Sequence, residues 1–318
     1  MESRNKFSIV IPAYKQSYLK EAIDSCFEQY YQNFEVIVVN DASPENLDSI
    51  VSLYDDSRLR YYKNEKNCGA INVVNNWNKC LEYATGNYII CMGDDDRLLP
   101  CCLEEYNKLI KQYPNLGVYH AWTEIIDENG NFYKLQHPRP LYEGPYSLCW
   151  NRWYGRGLQF IGDFCFDTKK LRDDGGFYYL PMAWASDDIT AVRAARYKGI
   201  ANTQRICFQY RENRQSISSS GSQIVKMNAT VQEKEWYQNF IKKELPFNDI
   251  EIKYKKLVEE GIDNFFVSKM KIQISLDMKG RYWRFFYWVY YMNRYSLSLF
   301  VILSAFCKTL KESCRSRL

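Results

Sequence analysis

The strongest constraint on the fold is a short apolar run that leads directly into three consecutive carboxylates. Residues 88–92 are mostly apolar, and Asp94, Asp95 and Asp96 follow after a single glycine. A continuous apolar run of this length is typical of a buried strand in a parallel sheet. In open α/β sheets, ligands bind beyond the carboxyl ends of the strands, which is where these carboxylates would lie. The stretch therefore predicts an α/β fold with a ligand site at the end of this strand.

The residues alone leave two interpretations of the acidic triplet open. Adjacent carboxylates repel one another unless a cation neutralises them, and all-oxygen ligation suits Mg²⁺ or Mn²⁺. Such a cation would carry a substrate phosphate. Alternatively, the triplet is a solvated acidic turn that caps the helix predicted to begin near Pro100.

The first 41 residues read as strand, helix and strand, followed by a carboxylate. Residues 7–12 form an apolar strand that Pro12 should end, and Ser17 is a candidate N-cap for the helix that follows. Residues 34–39 form the second strand, which a right-handed crossover should pair in parallel with the first. Asp41 at its end suits binding of a nucleotide ribose or base, although an Asx turn would also explain it. The sequence has no glycine-rich dinucleotide fingerprint and no P-loop pattern, which counts against both of those classes.

The middle of the chain continues the α/β pattern. Helical spacing of apolar residues predicts helices over 69–84 and 103–113, and a strand over 117–122. The turn at 127–130 indicates an antiparallel hairpin. His120 on this strand is interpreted as a packed core residue, because no partner histidine lies nearby in the sequence.

Charge and cysteine usage exclude some classes of protein. The net charge is +4, but residues 281–318 carry seven Lys or Arg against one acid, which indicates a basic tail and not a nucleic-acid binder. Eleven cysteines show no paired zinc spacing and several lie at apolar positions, so we expect reduced thiols in a cytosolic protein. The N-terminus lacks the apolar centre of a signal peptide.

A set of short motifs, in a fixed order, resembles a known family. The motifs are S-I-V-I-P-A-Y at 8–14, V-V-N-D-A-S at 38–43, N-x-G at 67–69, A-x-G-x-Y at 84–88 and G-D-D-D at 93–96. Together they resemble the nucleotide-binding half of the family 2 glycosyltransferases, over roughly the first 220 residues. The resemblance implies a GT-A (Rossmann-like) fold, in which a mostly parallel sheet is flanked by helices. It also implies a nucleotide-sugar donor, a divalent cation, Mg²⁺ or Mn²⁺, and inversion at the anomeric carbon.

The resemblance implies roles for the donor-side residues that match the motifs of the family. The nucleotide-binding residues would be Pro12, Ala13, Tyr14, Asp41, Ser43, Asn67 and Asp94. The metal ligands would be Asp95, which keeps the register of the family's metal-ligating carboxylate, with Asp94 and Asp96. Two positions depart from the family pattern: Gly93 stands where the first carboxylate is usual, and Trp77 stands where a basic residue is common.

The acceptor side needs a second acid, because an inverting displacement requires a base for the acceptor hydroxyl. The pair Asp187 and Asp188 resembles the acidic pair of the family. Counting back from Gly199 places Asp188 at the base position, with Asp187 as the alternative. A simple helix cap remains open for this pair.

Three further residues carry weaker implications from the same resemblance. Trp184, beside the acidic pair, would stack on a sugar face, and Gly162 would border the acceptor pocket. Arg211, which opens a segment running to Ser218, would contact the diphosphate or pair with a surface acid.

The last hundred residues are predicted to form a helical extension, so that the chain divides into a catalytic domain at 1–220 and a helical region at 221–318. The uncharged run 295–307 has thirteen residues and is too short to span a bilayer comfortably. Apolar and aromatic residues with basic flanks suit a helix at the cytoplasmic face of the membrane. A dimer interface and a cover on the catalytic domain are the alternatives.

The sequence therefore predicts a cytoplasmic transferase, peripheral to the membrane. It would move a sugar, with UDP as the preferred nucleotide, to a glycan or lipid-linked glycan in cell-surface polysaccharide synthesis. Two other functions on a similar sheet are a nucleotidyltransferase and a non-catalytic nucleotide-sugar-binding module. The first usually needs a glycine-rich phosphate loop, whereas residues 12–16 contain no glycine. The second would need no base.

Overall fold

The computed structural model of this protein describes residues 5–155, 157–213 and 221–315. The strands are β1 Phe7–Ala13, β2 Phe34–Asn40, β3 Leu59–Lys63, β4 Tyr88–Cys91, β5 Arg97–Leu98, β6 Val118–Ile126, β7 Phe132–Leu135, β8 Tyr142–Glu143, β9 Phe164–Asp167 and β10 Ile200–Arg211. The helices are α1 Leu19–Phe27, α2 Asp48–Val51, α3 Val73–Tyr83, α4 Cys102–Gln112, α5 Pro145–Trp153, α6 Thr168–Asp173, α7 Ser186–Ala195, α8 Gln223–Lys243, α9 Asp249–Met278, α10 Arg284–Tyr290 and α11 Leu299–Arg315. Short 3₁₀ turns span Ala70–Asn72, Ile161–Asp163 and Pro181–Ala183.

One mixed sheet forms the centre of the molecule, with strand order β3-β2-β1-β4-β9-β6-β10-β5. The strands β2, β1 and β4 are parallel, as predicted, and β3, which was not predicted, pairs in parallel with β2. The predicted hairpin is confirmed as β6 and β7. The sequence did not reveal β9, which inserts antiparallel between β4 and β6.

Successive side chains along the strands pack alternately into two separate cores, one on each face of the sheet. Val10 and Ile37 face the core that contains α3, α5 and α7, whereas Ile9 and Val36 face the core that contains α1 and α4. Helices cover both faces, so the central strands are apolar throughout. This packing leaves the strand ends, and the loops after them, as the place for a ligand.

The first strand runs one residue past Pro12, contrary to the expectation that this proline ends it. Pro12 pairs with Val39 on the β2 side, and Ala13 is the last residue of the strand. On the β4 side the pairing has already ended at Val10 and Cys91. The missing N–H of Pro12 therefore costs no ladder hydrogen bond.

The C-terminal helices pack in two groups. The helix α8 and the adjoining part of α9 share the core of α3, α5 and α7 through Tyr237, Phe240 and Phe266. The other end of α9 forms a smaller core with α10 and α11 around Trp288. Within the described residues, none of the helices combines the length and hydropathy that crossing a bilayer requires. The predicted boundary at 220 and 221 borders residues 214–220, which lie outside the described ranges.

Candidate active site

The turn after β4 carries the three carboxylates, and Asp94 joins it to the loop after β1. Asp94 Oδ2 accepts hydrogen bonds from the backbone N–H groups of Tyr14 and Lys15, both at 2.7 Å. Burial, and then the charge of Asp95, raise the pKa of Asp94 to about 6. One oxygen of Asp94 is therefore used to position Tyr14.

The other two carboxylates connect the turn to the end of β10. Asp95 Oδ2 accepts a hydrogen bond from Asn213 Nδ2 at 2.5 Å. Asp96 Oδ1 accepts one from the backbone N–H of Arg211 at 3.0 Å. The remaining oxygens of Asp95 and Asp96 both approach Gly93: a Cβ atom on that glycine would lie 2.9 Å from Asp95 Oδ1 and 2.8 Å from Asp96 Oδ2.

This arrangement fits a hard divalent cation. Burial, and then the charge of Asp95, raise the pKa of Asp96 well above its usual range, as expected for carboxylates held close together. Asp95 Oδ1 and Asp96 Oδ2, which both lie close to Gly93, are oxygen ligands of the kind that Mg²⁺ and Mn²⁺ prefer. Among the described residues, no group of three or more His, Cys, Asp or Glu side chains forms a complete metal site. Water and a substrate phosphate would therefore have to supply the remaining ligands.

Arg211 holds the acidic turn in place. Its side chain is buried, its Nε donates to the carbonyl of Asp95 at 2.8 Å, and its Nη2 donates to Glu21 Oε2 at 2.8 Å. Its Nη1 donates to the carbonyls of residues 127 and 128, and its guanidinium lies 4.2 Å from the ring centre of Tyr18. Each side-chain nitrogen is thus engaged within the protein, which does not favour the predicted contact with a diphosphate. Residues 214–218 of the same motif lie outside the described ranges.

The structure brings the predicted nucleotide-binding residues at the ends of β1 and β2 together. The carbonyl of Ala13 accepts a hydrogen bond from the N–H of Asp41 at 2.9 Å. Ser43 Oγ donates to the carbonyl of Tyr14 at 2.5 Å. Pro12 is half-buried, whereas the ring of Tyr14 is 43% exposed and offers a surface to a ligand.

Asp41 is buried and faces the segment between β3 and α3. Its carboxylate accepts hydrogen bonds from Asn64 Nδ2 at 2.7 Å and from the N–H of Cys68 at 3.0 Å. Ala42 has φ 49°, in the left-handed region that only a few residues other than glycine adopt. Lys79 Nζ donates to Asn64 Oδ1 at 3.1 Å, so a basic side chain reaches this cluster. The family resemblance places a basic residue at position 77, where this chain has Trp77.

Asn67 and Trp77, which also belong to the donor side, contact neighbouring residues of the protein. Asn67 is exposed, and its side chain accepts a hydrogen bond from the N–H of Gly69. Trp77 is buried and packs edge-on against Phe177, with ring centres 5.9 Å apart.

Asp187 and Asp188 begin α7 in different environments. Asp188 is 4% exposed, and its Oδ1 accepts hydrogen bonds from Arg152 Nε at 2.8 Å and Gln159 Nε2 at 2.5 Å. Burial alone would raise the pKa of Asp188, but the charge and hydrogen bond of Arg152 outweigh it and lower that pKa. Asp187 is half-buried. Burial, and then the charge of Asp188, raise the pKa of Asp187 to about 8.

The backbone before this pair is strained. Met182, Ala183 and Ala185 have φ values of 61°, 52° and 71°, all in the left-handed region. Such conformations cost of order 1–3 kcal/mol each and cluster at functional sites. They connect the short 3₁₀ turn at 181–183 to α7, with Trp184 in the connection and Asp187 in the first turn of the helix.

Trp184 is held by side chains of the C-terminal helices. The indole Nε1 donates to Thr230 Oγ1 at 3.2 Å. Lys226 Nζ lies 4.6 Å and Lys269 Nζ 5.7 Å from the ring centre, and Lys269 pairs with Glu233 at 2.5 Å. The helices α8 and α9 thus contact Trp184 next to the acidic pair.

One short segment connects the two acidic centres. Gln159 donates to Asp188, and the next residue, Phe160, stacks on Tyr210 with ring centres 3.7 Å apart. Tyr210 precedes Arg211, which holds the turn of Asp95 and Asp96. The same acidic pair is also close to the donor side, because the turns at 70–72 and 181–183 pack together and Tyr179 donates to Asn72 Oδ1 at 2.8 Å.

Gly162 in this segment is explained by packing. It is buried, and a Cβ atom there would overlap the ring of Phe208. The predicted acceptor contact of Gly162 is therefore not favoured. His120 is 1% exposed, with Nε2 3.3 Å from Asp163 Oδ2, which confirms its interpretation as a core residue.

Several residues of the site were missed in the sequence. Arg152 carried a signal: a single arginine among the aromatic residues 150–154 must find a partner if that helix is buried. Gln159 and Asn213 carried none, because amides have no distinctive pattern and their partners lie 29 and 118 residues away in the chain.

Comparisons with known proteins agree with this fold. The model of the family described as "Glycosyl transferase family 2" matches residues 8–176, which is more than half of the chain. The chain therefore belongs to glycosyl transferase family 2, and its fold is the GT-A fold.

Individual relatives and structures are more distant. The chain is 35% identical over 137 residues to the uncharacterized glycosyltransferase MJ1057 of Methanocaldococcus jannaschii, covering 41% of this chain and 46% of that protein. It is 26% identical over 217 residues to WfgD of Escherichia coli, named a UDP-Glc:alpha-D-GlcNAc-diphosphoundecaprenol beta-1,3-glucosyltransferase, covering 67% of this chain and 79% of that protein. For MJ1057, and for a Rickettsia bellii relative of which it covers 19%, the chain spans less than half of the relative's length.

Two solved structures share the fold over almost the whole chain. The structure of S. aureus TarS 1–349 with UDP-GlcNAc has a TM-score of 0.66 at 16% identity, covering 98% of this chain and 92% of that one. The mannosyltransferase PcManGT of Pyrobaculum calidifontis, with GDP-Man and Mn²⁺, has a TM-score of 0.56 at 18% identity, covering 97% and 88%. Identities this low show the shared fold alone.

Proposed function

We propose that this protein is an inverting glycosyltransferase that moves a sugar from a nucleotide-diphosphate donor to a hydroxyl group of a glycan or lipid-linked glycan. Membership of the family supports glycosyl transfer, and the ligands of TarS and PcManGT support a nucleotide sugar as donor. The observation that carries the proposal is the contact path from Asp188 through residues 159 and 160 to Arg211. This path supports a single site that contains both the acidic turn and the acidic pair.

The donor would bind at the ends of β1 and β2. Tyr14 offers an exposed ring to the base, and Asp41 lies where a ribose or base contact is expected. Asp95 and Asp96 would hold Mg²⁺ or Mn²⁺ through the oxygens that approach Gly93. When bound, the cation would neutralise the departing diphosphate as a Lewis acid. UDP is the preferred nucleotide, because it is the commonest in the family and occurs in the names of WfgD and of the TarS complex.

We assign the general base to Asp187 and not to Asp188, the position that the resemblance favours. Asp188 is buried, and Arg152 stabilises its ionised form, so it is a weak base. Asp187 is more accessible, and its pKa of about 8 makes it the stronger base. Asp188 would instead position Asp187, whose Oδ1 accepts a hydrogen bond from the N–H of Asp188 at 2.9 Å.

The reaction would be a single displacement. The acceptor hydroxyl attacks the anomeric carbon from the face opposite the diphosphate, and its proton passes to Asp187. The bond between the anomeric carbon and the diphosphate oxygen breaks, and its electron pair leaves with the diphosphate. Trp184 would support the sugar through its ring face, held in place by Thr230.

We also propose where the protein works. A lipid-linked acceptor would place it at the inner face of the cell membrane, with residues 1–220 as the catalytic part and residues 221–318 as a helical region. Such an acceptor is consistent with the name of WfgD, which includes a diphosphoundecaprenol substrate.

The test is a screen of UDP-, GDP- and dTDP-sugars for thermal stabilisation, with and without Mn²⁺, followed by a transfer assay with the stabilising donor. We expect one nucleotide class to raise the unfolding temperature only with the metal, and Asp95→Asn to abolish that rise. A donor that binds but is neither transferred nor hydrolysed by the wild type would support a binding module instead. Stabilisation by nucleoside triphosphates, with release of pyrophosphate, would support a nucleotidyltransferase.

A further inference from the structure

The C-terminal helices carry a large exposed apolar surface, here called the apolar face and defined as Trp283, Phe286 and Tyr290 beside and on α10 with Phe300 and Leu303 on α11. Four of these side chains are 64–80% exposed, and Leu303 is 44% exposed. The spacings 283, 286, 290 and 300, 303 each place the residues on one side of a helix. Exposed large apolar side chains grouped on one side of a helix are typical of an interaction site.

The two helices that carry the apolar face are packed against each other. Phe285 of α10 and Phe306 of α11 lie with ring centres 5.2 Å apart, and Trp288 is buried in the core between them and α9. The buried sides of α10 and α11 are therefore already occupied. The apolar face is a second apolar side, which the described residues leave exposed.

A basic cleft of about 780 Å³ borders the same helix α11. Its lining consists of Lys271 of α9 and, from α11, Ser304, Cys307, Lys308, Leu310, Lys311 and Glu312. Lys308 lies 3.8 Å from Glu312. Among the side chains that the structure describes, no carboxylate lies within ion-pair distance of Lys271 or Lys311. Three lysines against one acid leave the cleft positive, with a serine hydroxyl as a further donor.

We propose that the apolar face and the basic cleft together form a docking surface for an anionic phospholipid bilayer, with lipid phosphates bound by the lysines of the cleft. Trp and Tyr have apolar rings with polar atoms, which suits the headgroup level of a membrane. The charge is complementary, because the cleft carries three lysines and one acid. A second copy of this chain fits less well, because a symmetric contact would bring the same lysines together.

This inference deepens the membrane contact proposed above and rests on the proposed function only in that a lipid-linked acceptor lies in the same bilayer. The site is separate from the acidic turn and from Asp187. Lipid binding can therefore be measured without a donor sugar, so that failure of one proposal is distinguishable from failure of the other.

The experiment is co-sedimentation of the full chain with vesicles of phosphatidylcholine, alone or mixed with phosphatidylglycerol. We expect binding to the anionic vesicles, weakened by salt, and a blue shift of tryptophan emission that is reduced in Trp283→Phe. The triple variant Lys271→Ala, Lys308→Ala, Lys311→Ala should bind about 100-fold more weakly, from about 1 kcal/mol for each lysine. The double variant Phe300→Ser, Leu303→Ser should also lose binding. The triple and the double variant alter surface residues only.

A matched control replaces Lys20, Lys111 and Lys169, three exposed lysines of the catalytic part, by Ala and should bind as the wild type does. Equal loss in this control, or equal binding to neutral and anionic vesicles, would overturn the proposal. Binding of inorganic phosphate by the full chain, together with no binding to anionic vesicles, would assign the cleft to a soluble phosphate compound instead. A dimer that Phe300→Ser dissociates would assign the apolar face to a second copy. Donor-dependent thermal stabilisation of the same samples reports separately on the catalytic site.

Discussion

Gly93 sets how closely the carboxylates of the acidic turn approach each other. Because a Cβ atom there would lie 2.8 Å from Asp96 Oδ2 and 2.9 Å from Asp95 Oδ1, Gly93→Ala must push the two oxygens away. We expect the dissociation constant for Mn²⁺, in the presence of the nucleotide, to rise at least about tenfold, a change of about 1.4 kcal/mol. Calorimetric titration measures it, with Asp95→Asn as the reference for loss of a ligand. Unchanged Mn²⁺ affinity would show that the metal lies elsewhere.

The pKa of Asp187 gives a pH dependence with a definite sign. Burial, and then the charge of Asp188, raise this pKa to about 8, against the opposing charge of Arg152, so the base is increasingly ionised as the pH rises towards that value. The wild-type kcat/KM should rise with pH and level off above about 8. In Asp188→Asn the neighbouring negative charge is removed while Arg152 remains, so the rise should move to lower pH. Rate profiles of the two proteins test this, and an unmoved profile in Asp188→Asn would reject Asp187 as the titrating group.

At the scale of the elements, Glu35 of β2 links β1, β3 and the turn after α3. Its carboxylate accepts hydrogen bonds from Ser8 Oγ at 2.6 Å and Thr85 N–H at 2.7 Å, and it pairs with Lys6 and Arg60, both at 3.1 Å. Burial alone would raise its pKa, but these hydrogen bonds and charges lower it from 4.5 to about 2.

We therefore expect Glu35→Gln to lower the free energy of unfolding at neutral pH by about 3 kcal/mol. Because the folded-state pKa is lowered, this stability is present above about 4.5 and is lost as the pH falls towards about 2. The difference between variant and wild type should shrink over that range in urea titrations. Glu28→Gln, on an exposed site, is the control. A difference that stays constant with pH would mean that the charge of Glu35 contributes nothing.

The elements also show what the sequence could and could not predict. The parallel strands β1, β2 and β4 have continuous apolar runs, so the sequence predicts these strands. It also predicts that Asp41 and Asp94 lie in the loops after β2 and β4. The strand β9 has only four residues, and nothing in them indicates that it would insert between β4 and β6. The left-handed residues before Asp187 are Met and Ala, which carry no turn signal, so their strain becomes visible only in three dimensions. The pairing of Arg152 with Asp188 likewise depends on the tertiary contact of two helices, which the sequence pattern does not record.

At the scale of the whole molecule, the C-terminal helices divide between two cores. Phe266 of α9 is fully buried among Trp153, Tyr237 and Phe265, which places α9 in the same core as α5 and α7. The predicted ranges 1–220 and 221–318 would then not be independent folding units, and α8 and α9 would unfold together with the sheet.

We expect Phe266→Ala to lower the free energy of unfolding by about 3–5 kcal/mol. Tryptophan fluorescence and far-UV circular dichroism should report one coincident urea transition in both proteins. Leu303→Ala, on an exposed site of α11, should change stability by less than about 0.5 kcal/mol. Two separated transitions, with only one moved by Phe266→Ala, would show that the C-terminal helices fold independently.

The central claim is that the acidic turn holds the donor and Asp187 removes the proton of the acceptor. The most direct measurement compares kcat for sugar transfer and the dissociation constant of the donor in the wild type, Asp187→Asn and Asp188→Asn. We predict that Asp187→Asn lowers kcat about 10³-fold, a typical contribution of a general base, and leaves donor binding within about twofold. Near wild-type kcat in Asp187→Asn would contradict the account.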